Sequence, residues 1–364
     1  MRKHIKRFLL LISIWVILSL IFVEHARTVN PNTSDIWPLL AMGFPLILGA
    51  YSLLIIFWLF TKRLYALIMI GVLMISSWTL LTDFMQINVP LNKEGQIKLL
   101  SYNARLFGFY QFEKNKEVRD SIFVKLDSIN ADIMCFQEFY HSGDPNGFQT
   151  KTILMDQLES PYIHEKYTHE FVNKQFFGVV TLSKYPIIHK GYIPFVGDFN
   201  NFCIYSDILL PSNDTIRVFN AHLASIHFRK DDYDIMTTEL SDTEALSKKS
   251  TGILKKLVAA NNRRAKQIDK IMKEVERTPY PTVFAGDFND PPFSYTYFRT
   301  KNILKDSFKK KGCGFGNTYN GPFPSFRIDH ILYSDRIRID SYTIDEMDYS
   351  DHFPVMVEFS LKDE

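Results

Sequence analysis

Six short polar segments beyond residue 100 carry the side chains of this sequence best suited to chemistry. Each segment stands where a run of apolar residues ends, so we expect each to lie at the tip of a β-strand. Side chains at strand tips converge on a cleft. The segments are Ser101-Tyr102-Asn103, Gln137-Glu138, Asn220-Ala221-His222-Leu223, Gly286-Asp287-Phe288-Asn289, Arg327-Ile328-Asp329-His330 and Ser350-Asp351-His352.

Carboxylates, carboxamides and histidines gathered in one cleft suit the metal-assisted hydrolysis of a phosphate ester. Oxygen ligands bind a hard divalent cation, and the cation neutralises the charge of the phosphate. A histidine that titrates near neutrality moves a proton, and an aspartate bonded to its other nitrogen fixes its tautomer. The residue types therefore predict a hydrolase that acts on ester bonds.

In this order, the six segments resemble those of the endonuclease/exonuclease/phosphatase superfamily. That superfamily includes deoxyribonuclease I, apurinic endonucleases, sphingomyelinases and inositol-polyphosphate 5-phosphatases. The similarity covers residues 96–362. It implies an α/β (α+β) fold in which two β-sheets pack face to face, with helices outside and the site at one end.

The resemblance also implies a role for each motif residue. Glu138 is the expected principal metal ligand, with Asn103 and Asp351 completing the metal site. Asp287 is expected to orient or deprotonate the attacking water, and Asn289 to hold a phosphate oxygen. The expected cofactor is Mg²⁺, with Mn²⁺ or Ca²⁺ as alternatives.

The histidines complete the predicted machinery. His352 is expected to contact the phosphate or relay a proton, with Asp329 as its orienting partner. His222, supported by Asn220, resembles the second acid or base of the deoxyribonuclease I and sphingomyelinase branch. Arg105 also resembles that branch and is expected to bind substrate.

Each of these residues has an ordinary structural interpretation when it is taken alone. Asn103 would be a strand-end hydrogen bonder, the Asp287 segment a turn, and His222 and His352 buried structural histidines. The joint pattern favours the functional interpretation, because unrelated turns have no reason to repeat a family's order. We expect His330 to point to the opposite face of its strand from Asp329. Other histidines match no motif and are expected on the surface or in loops: His141, His164, His169 and His189.

The first 83 residues predict a membrane anchor with three transmembrane helices, at about 8–23, 36–60 and 64–81. A bilayer core needs about 20 residues of helix, which these apolar runs approach or exceed. A cleaved signal peptide is the rival interpretation of the first run, but no small-residue cleavage site follows it. Residues 84–96 are the expected linker, and 97–364 the catalytic domain.

Basic residues predict the orientation of this anchor. Arg2, Lys3, Lys6 and Arg7 precede the first apolar run, and Lys62-Arg63 separate the second from the third. Lysine and arginine stay on the cytoplasmic side of a membrane. We therefore expect a cytoplasmic N-terminus and a periplasmic or extracellular catalytic domain.

Alternation of apolar and polar residues predicts the elements of the catalytic domain. Helices are expected at 115–129, 150–159 and 251–277. The segment 225–277 reads as an insertion with an acidic first half and a basic second half, either a solvated helix after a loop or a flap that contacts phosphate or lipid headgroups. Strands are expected at 97–103, 132–137, 176–182, 187–195, 202–210, 215–222, 281–286, 327–333 and 353–360.

The charge balance and the differences from the deoxyribonuclease I motifs bear on the choice of substrate. Residues 1–83 hold 7 of the 42 Lys and Arg and 3 of the 40 Asp and Glu, so the remainder is close to neutral, whereas nucleic-acid binders usually carry a basic excess. Tyr140, Asn200 and Asn201 stand where the deoxyribonuclease I branch tends to place arginine. The expected partners are a phosphate-ester substrate, with a phospholipid headgroup favoured over nucleic acid, and the lipid bilayer; no protein partner is predicted. A nonspecific endonuclease and a catalytically silent binding module are the alternatives.

Overall fold

The computed structural model describes residues 2–89, 95–171, 174–226, 228, 232, 243–321 and 325–362. Its α-helices, numbered α1 to α10 in chain order, are Arg2–Ala26, Ile36–Met42, Phe44–Thr61, Arg63–Ser76, Trp78–Phe84, Asn115–Ile129, Thr150–Gln157, Thr243–Val275, Tyr295–Lys301 and Ser307–Lys311. Its strands, β1 to β14, are Gln86–Ile87, Ile97–Asn103, Ile133–Ser142, Tyr162–Phe171, Gln175–Ser183, Ile187–Phe195, Asp198–Leu209, Thr215–His222, Thr282–Asp287, Lys305–Asp306, Cys313–Gly314, Asp329–Tyr333, Ile337–Ile344 and Val355–Leu361.

The apolar N-terminal helices fall in one compact unit, which comprises Met1–Met85, Ile226–Ala265 and Pro292–Arg299. Two of its helices are long and apolar enough to cross a membrane, within His4–Ala26 and Phe44–Thr61. The pair α4 and α5 passes the same test together but bends by 78° at its break, so the described residues contain two candidate spans, or three if the bent pair counts as one. The predicted run 36–60 is likewise divided, because α2 ends at Met42, Gly43 follows it and α3 begins at Phe44.

Polar side chains are buried at one end of this unit. The Arg27 guanidinium at the end of α1 lies 2.6 Å from the Asp83 carboxylate in α5, and both side chains are fully buried. Arg27 also pairs with Glu24 at 2.6 Å. The rings of Phe44 and Phe84 each contact that of Phe293, from the segment after the Gly-Asp-Phe-Asn motif. Removal of one partner of the buried Arg27–Asp83 ion pair would leave an uncompensated charge on the other.

The second unit comprises Gln86–Ser225, Lys266–Pro291 and Thr300–Glu364, and it contains two six-stranded sheets. One has the order β10-β12-β9-β8-β7-β6, and the other β13-β14-β2-β3-β5-β4. Strands of the two sheets face one another, for example β3 with β8 and β2 with β9. The predicted fold of two packed sheets flanked by helices is therefore confirmed.

Two apolar layers hold this unit together. Alternate residues of facing strands fill the space between the sheets, including Leu99 and Cys135 from one sheet and Val218 and Ala285 from the other. The outer face of the second sheet is covered by helices such as α6, through a separate cluster that includes Phe136 and side chains from that helix. This alternation follows from the two-residue period of a strand. Near the end of a strand, every second side chain therefore points into the edge of the layer between the sheets.

Most predicted elements appear with shifted ends. Strands at 97–103, 187–195 and 215–222 and the helix at 115–129 have the predicted bounds. Strand β12 begins at Asp329 rather than 327, and the long helix α8 begins at Thr243 rather than 251. Much of the acidic half of the predicted insertion lies outside the described residues. Strands β4 and β13 were not expected.

Candidate active site

Strand ends bring five of the six polar segments to one edge of the inter-sheet layer. Parallel β8 and β9 end in register at His222 and Asp287, and antiparallel β12 begins opposite them at Asp329. In the other sheet, β2 ends at Asn103, and the 350–352 segment directly precedes β14, which pairs with β2. The sixth segment interrupts β3, where the register shifts between Phe136 and Phe139. The irregularity turns Glu138 out of the regular alternation.

Backbone conformation supports this geometry at three positions. Glu138 and Asn289 have φ angles of 47° and 52°, in the left-handed region. Residues other than glycine adopt this conformation at a cost in free energy, and such residues are often found at functional sites. Gly286 has φ 151°, and a Cβ there would lie 2.1 Å from the carbonyl oxygen of Ala221. Only glycine lets β9 approach β8 this closely just before Asp287.

A buried polar layer separates the apolar core from the site. The Gln137 side-chain amide donates to Asn220 Oδ1 at 2.7 Å, and the Asn220 amide donates to the Val180 carbonyl at 3.0 Å and to Thr181 Oγ1 at 3.2 Å. Asn220 is fully buried. Its hydrogen bonds are therefore made to protein groups, which ties β8 to the opposite sheet and supports His222 and Glu138 from beneath.

Asp287 lies at the centre of the cluster. Its Oδ2 accepts from Asn103 Nδ2 at 3.0 Å and from Asn289 Nδ2 at 3.2 Å. The same oxygen lies 3.6 Å from His222 Nε2 and 3.8 Å from His352 Nε2. With 1% of its side chain exposed, this carboxylate faces two amides and two imidazoles in a place that excludes bulk water. Such a carboxylate is placed to orient a water molecule and to take up its proton.

His352 and Asp329 form a buried pair beside Asp287. His352 Nδ1 lies 2.9 Å from Asp329 Oδ2, and the Asp329 backbone N–H donates to Thr318 Oγ1 at 3.0 Å. Burial opposes a charge on His352, but the carboxylates of Asp329 and Asp287 outweigh it and raise the pKa of His352 to about 10. The pair fixes the ring so that its Nε2 faces Asp287.

Glu138 and its neighbours supply the oxygen atoms that a divalent ion would need. Glu138 Oε1 lies 3.4 Å from Asn103 Nδ2 and 3.8 Å from His222 Nε2, with 37% of its side chain exposed. Asp351 faces Arg105 at 3.4 Å, and Ser350 Oγ, next to it, donates to the Asn103 carbonyl. Carboxylate and carboxamide oxygens are hard ligands of the kind that divalent ions prefer. In this structure Asn103 turns its Nδ2 towards Glu138, and its Oδ1 accepts from the Arg105 backbone N–H at 3.1 Å. A second cluster, Asp287, Asp329 and His352, places its ligand atoms within 4.8 Å of one another.

The histidines outside the site take positions that differ in part from expectation. His330, next to Asp329, bonds through Nε2 with the Asp290 carbonyl at 3.0 Å, whereas Asp329 bonds to His352. Burial, aided by Arg327, lowers the pKa of His330 to about 3. His141, His164 and His189 are on strands and not in loops. The expectation of a surface position is wrong for His164, which is 6% exposed and bonds to Ser206 between the sheets; the side chain of His169 lies outside the described residues.

Some supporting residues carried no signal in the sequence. Thr318 holds Asp329 but stands in no motif, and its role depends on a long loop returning to β12. Gln137 and Ser350 were parts of the motifs, yet their contacts with Asn220 and Asn103 need the folded sheets to be seen. Tyr140, at a position of departure from the deoxyribonuclease I branch, is buried and packs against Phe109.

Comparison with known proteins agrees with this geometry. The family model described as Endonuclease/Exonuclease/phosphatase family matches residues 100–352, from β2 to His352. The chain belongs to this family. Its members are hydrolases that act on phosphoester bonds and typically use divalent metal ions. Residues 6–84 match a domain of unknown function, DUF8431, and no curated protein matches the chain.

Solved structures similar to this endonuclease/exonuclease/phosphatase family chain share its fold at low identity. The human Nocturnin catalytic domain with bound sulfate anion aligns with a TM-score of 0.54 and 16% identity, covering 75% of this chain and 96% of that one. A functionally unknown conserved protein from Enterococcus faecalis V583 gives 0.52 and 17%, covering 73% and 100%. A family protein from Bacteroides vulgatus gives 0.51 and 15%, covering 73% and 99%.

Proposed function

We propose that this chain is a membrane-anchored, divalent-metal-dependent phosphoesterase that hydrolyses a phosphodiester or phosphomonoester by attack of an activated water. The observation that carries the proposal is the convergence on one oxygen, Asp287 Oδ2, of Asn103, Asn289, His222 and His352, all within 3.0 to 3.8 Å. A buried turn or a structural histidine has no need of such a constellation.

Glu138, Asn103 and Asp351 would hold the metal ion, for which Mg²⁺ is our first choice and Mn²⁺ or Ca²⁺ the alternatives. When bound, the ion supplies positive charge that polarises the phosphate and stabilises the charge of the transition state. The exposed Glu138 carboxylate and its strained backbone suit a ligand that faces the mouth of the cleft.

The chain's own residues perform the remaining tasks. Asp287 orients the water for attack on phosphorus opposite the leaving group and takes its proton. Asn289 Nδ2 donates to the Leu223 carbonyl at 3.0 Å and to Asp287 Oδ2 at 3.2 Å, and it transfers the second of these hydrogen bonds to a phosphate oxygen when the substrate binds. His352, kept cationic by Asp329, stabilises the phosphate charge, and His222 donates a proton to the leaving oxygen.

The substrate class we favour is a phosphodiester of a phospholipid headgroup, with nonspecific cleavage of DNA or RNA as the alternative. The near-neutral charge beyond residue 83 argues against a dedicated nucleic-acid binder. Arg105, which lies next to Asp351 and resembles a residue of the deoxyribonuclease I branch, supports the nuclease alternative. We propose that the apolar helices anchor the chain with its N-terminus in the cytoplasm and its catalytic domain on the periplasmic or extracellular side. The reason is that lysine and arginine favour the cytoplasmic side, and they cluster before the first apolar run and between the second and third.

The proposal is tested by turnover of the purified full chain with Mg²⁺ on plasmid DNA, RNA and phospholipid vesicles. We expect headgroup release that Asp287→Ala and His352→Ala abolish without loss of the fold, as judged by circular dichroism. Asp340→Asn, which removes a buried carboxylate on the edge strand β13, is the matched control and should retain turnover. Retained turnover in the Asp287 variant would refute the residue assignment, and cleavage of DNA or RNA alone would replace the lipid substrate with the nuclease alternative.

A further inference from the structure

A cavity of about 400 Å³ lies among β4, β6 and the start of β7. Aromatic side chains dominate its wall: Tyr192, Phe195, Phe199 and Phe202. Lys166, whose ammonium lies 4.6 Å from the centre of the Tyr192 ring, contributes a positive charge. None of these residues belongs to the catalytic motifs.

Strand register connects this cavity to the catalytic residues. Antiparallel pairing places Phe202 opposite His222, and Pro194 opposite Phe202. Asp329, Asp287, His222, Phe202 and Pro194 therefore form one row across the sheet. Neighbouring strands are about 5 Å apart, so Phe202 and Pro194 follow His222 at about 5 and 10 Å along that row. Residues paired in this way project on the same face, so Phe202 and Pro194 of the cavity wall lie on the face of the sheet that carries His222.

Hydrogen bonds from α8 brace the turn that forms the cavity. Gln267 Nε2 donates to Asp198 Oδ2 at 2.9 Å, and Gln267 Oε1 accepts from the Ala224 backbone at 2.9 Å, two residues beyond His222. Lys270 Nζ donates to the Pro194 carbonyl at 2.6 Å. One helix thus holds both the cavity wall and the strand end that carries His222.

Two polar side chains of the wall donate to protein partners. Asn201 Nδ2 donates to Asp198, and the Thr168 hydroxyl donates to the Phe177 carbonyl. At the rim, Val196 in the turn between β6 and β7 and Phe199 at the start of β7 are 99% and 82% exposed, so two large apolar side chains face solvent close together in the sequence. The wall therefore offers apolar contact to a ligand, while a nucleobase would need hydrogen-bonding partners for its edges.

We propose that this cavity binds the aliphatic part of a phosphoester lipid while the phosphate lies at His222 and Asp287. The inference rests on the proposed function and names its substrate class. Helices long and apolar enough to cross a membrane are part of the same chain, so a lipid is an available ligand. Val196 and Phe199 at the rim contact the acyl region, and Lys166 faces the anionic headgroup layer.

The test is calorimetric titration of the full chain in detergent micelles with Mg²⁺, using methyl phosphate, hexyl phosphate and adenosine monophosphate. The measured quantity is the ratio of the affinity for hexyl phosphate to that for methyl phosphate. Burial of a methylene tightens binding by up to about fourfold, so we expect a ratio of at least about 10 for the open cavity. Partitioning of hexyl phosphate into the micelles is measured separately without protein, and the affinities are calculated from the free ligand concentrations.

Phe199→Asp and Tyr192→Ser should each reduce this ratio to below about 3, since both remove apolar wall. Val124→Asp, a change of an exposed apolar residue on α6, is the control and should keep the wild-type ratio. A wild-type ratio near 1, a ratio unchanged in both cavity variants, or tighter binding of adenosine monophosphate than of hexyl phosphate would overturn the inference. Failure of methyl phosphate to bind at all would instead refute the proposed function, and the inference with it.

Discussion

Protonation of His164, which joins the two sheets, should make the protein less stable at acidic pH. His164 on β4 bonds through Nδ1 to Ser206 Oγ on β7 at 2.9 Å and is 6% exposed. Burial lowers its pKa to about 4, and the neighbouring Lys190 and His189 act in the same direction, against Glu165. His164 is therefore neutral in the folded protein at pH 7.

The sign of the effect follows from this lowered pKa. In the unfolded chain the imidazole titrates near 6.5, so it takes up a proton at a higher pH than the folded one does. The stability from neutral His164 is fully present above about pH 6.5 and is lost as the pH falls towards 4. The difference between about 6.5 and about 4 corresponds to about 3 kcal/mol, of which about 2 kcal/mol is lost by pH 5.

The assay is hydrogen exchange of peptides from β4 and β7, measured at pH 7.5 and 5 and corrected for the intrinsic rates. Tryptophan fluorescence is unsuitable, because all four tryptophans lie within the first 83 residues. His164→Gln keeps a hydrogen-bonding side chain that does not titrate. We expect the opening free energy of the wild type to fall by about 2 kcal/mol more than that of the variant. Equal falls in the two proteins would refute the reasoning.

Other perturbations test separate parts of the structure. Asp329→Asn should lower kcat by about 10²-fold or more and move the loss of activity at high pH towards neutrality, since His352 loses the charge that raises its pKa; a pH–rate profile unchanged from wild type would contradict this. Either Arg27→Met or Asp83→Leu should destabilise the N-terminal unit by about 3 to 5 kcal/mol in thermal unfolding, whereas the double variant should recover much of the loss. Gly286→Ala should destabilise by about 2 kcal/mol or more, because its Cβ would strike the neighbouring strand, and an unchanged melting temperature would show that β9 can retreat.

The sequence predicted the central strands and the edge strand β6, but it missed the edge strands β4 and β13. Strands β2 and β8, which lie inside their sheets, read as apolar runs and had the predicted bounds. Strands β4 and β13 are at the sheet edges, and β4 carries the polar sequence His-Glu-Lys-Tyr-Thr-His, as edge strands commonly do. The pattern of β4 was therefore too polar to distinguish from a loop. In β13 the register shifts between Ile339 and Ser341, which interrupts the alternation that would have indicated a strand.

The sequence likewise predicted some residues of the candidate site and missed others. Strand-end residues such as Asn103, His222 and Asp287 could be found because each follows an apolar run. Thr318 could not be found, since a threonine in a loop has no distinctive pattern and its partner lies 11 residues away. The aromatic cavity could not be found either, because it depends on the register of three strands.

The most direct test of the central claim is hydrolysis of bis(p-nitrophenyl) phosphate by the full chain, with and without Mg²⁺, in the wild type and in Asp287→Asn. The variant keeps the size of the side chain and one oxygen that can accept from the Asn103 and Asn289 amides, while it loses the carboxylate that takes the proton. The account predicts turnover that chelation removes and that the substitution lowers by about 10³-fold. Turnover that persists without a divalent ion, or at the wild-type rate in Asp287→Asn, would contradict it.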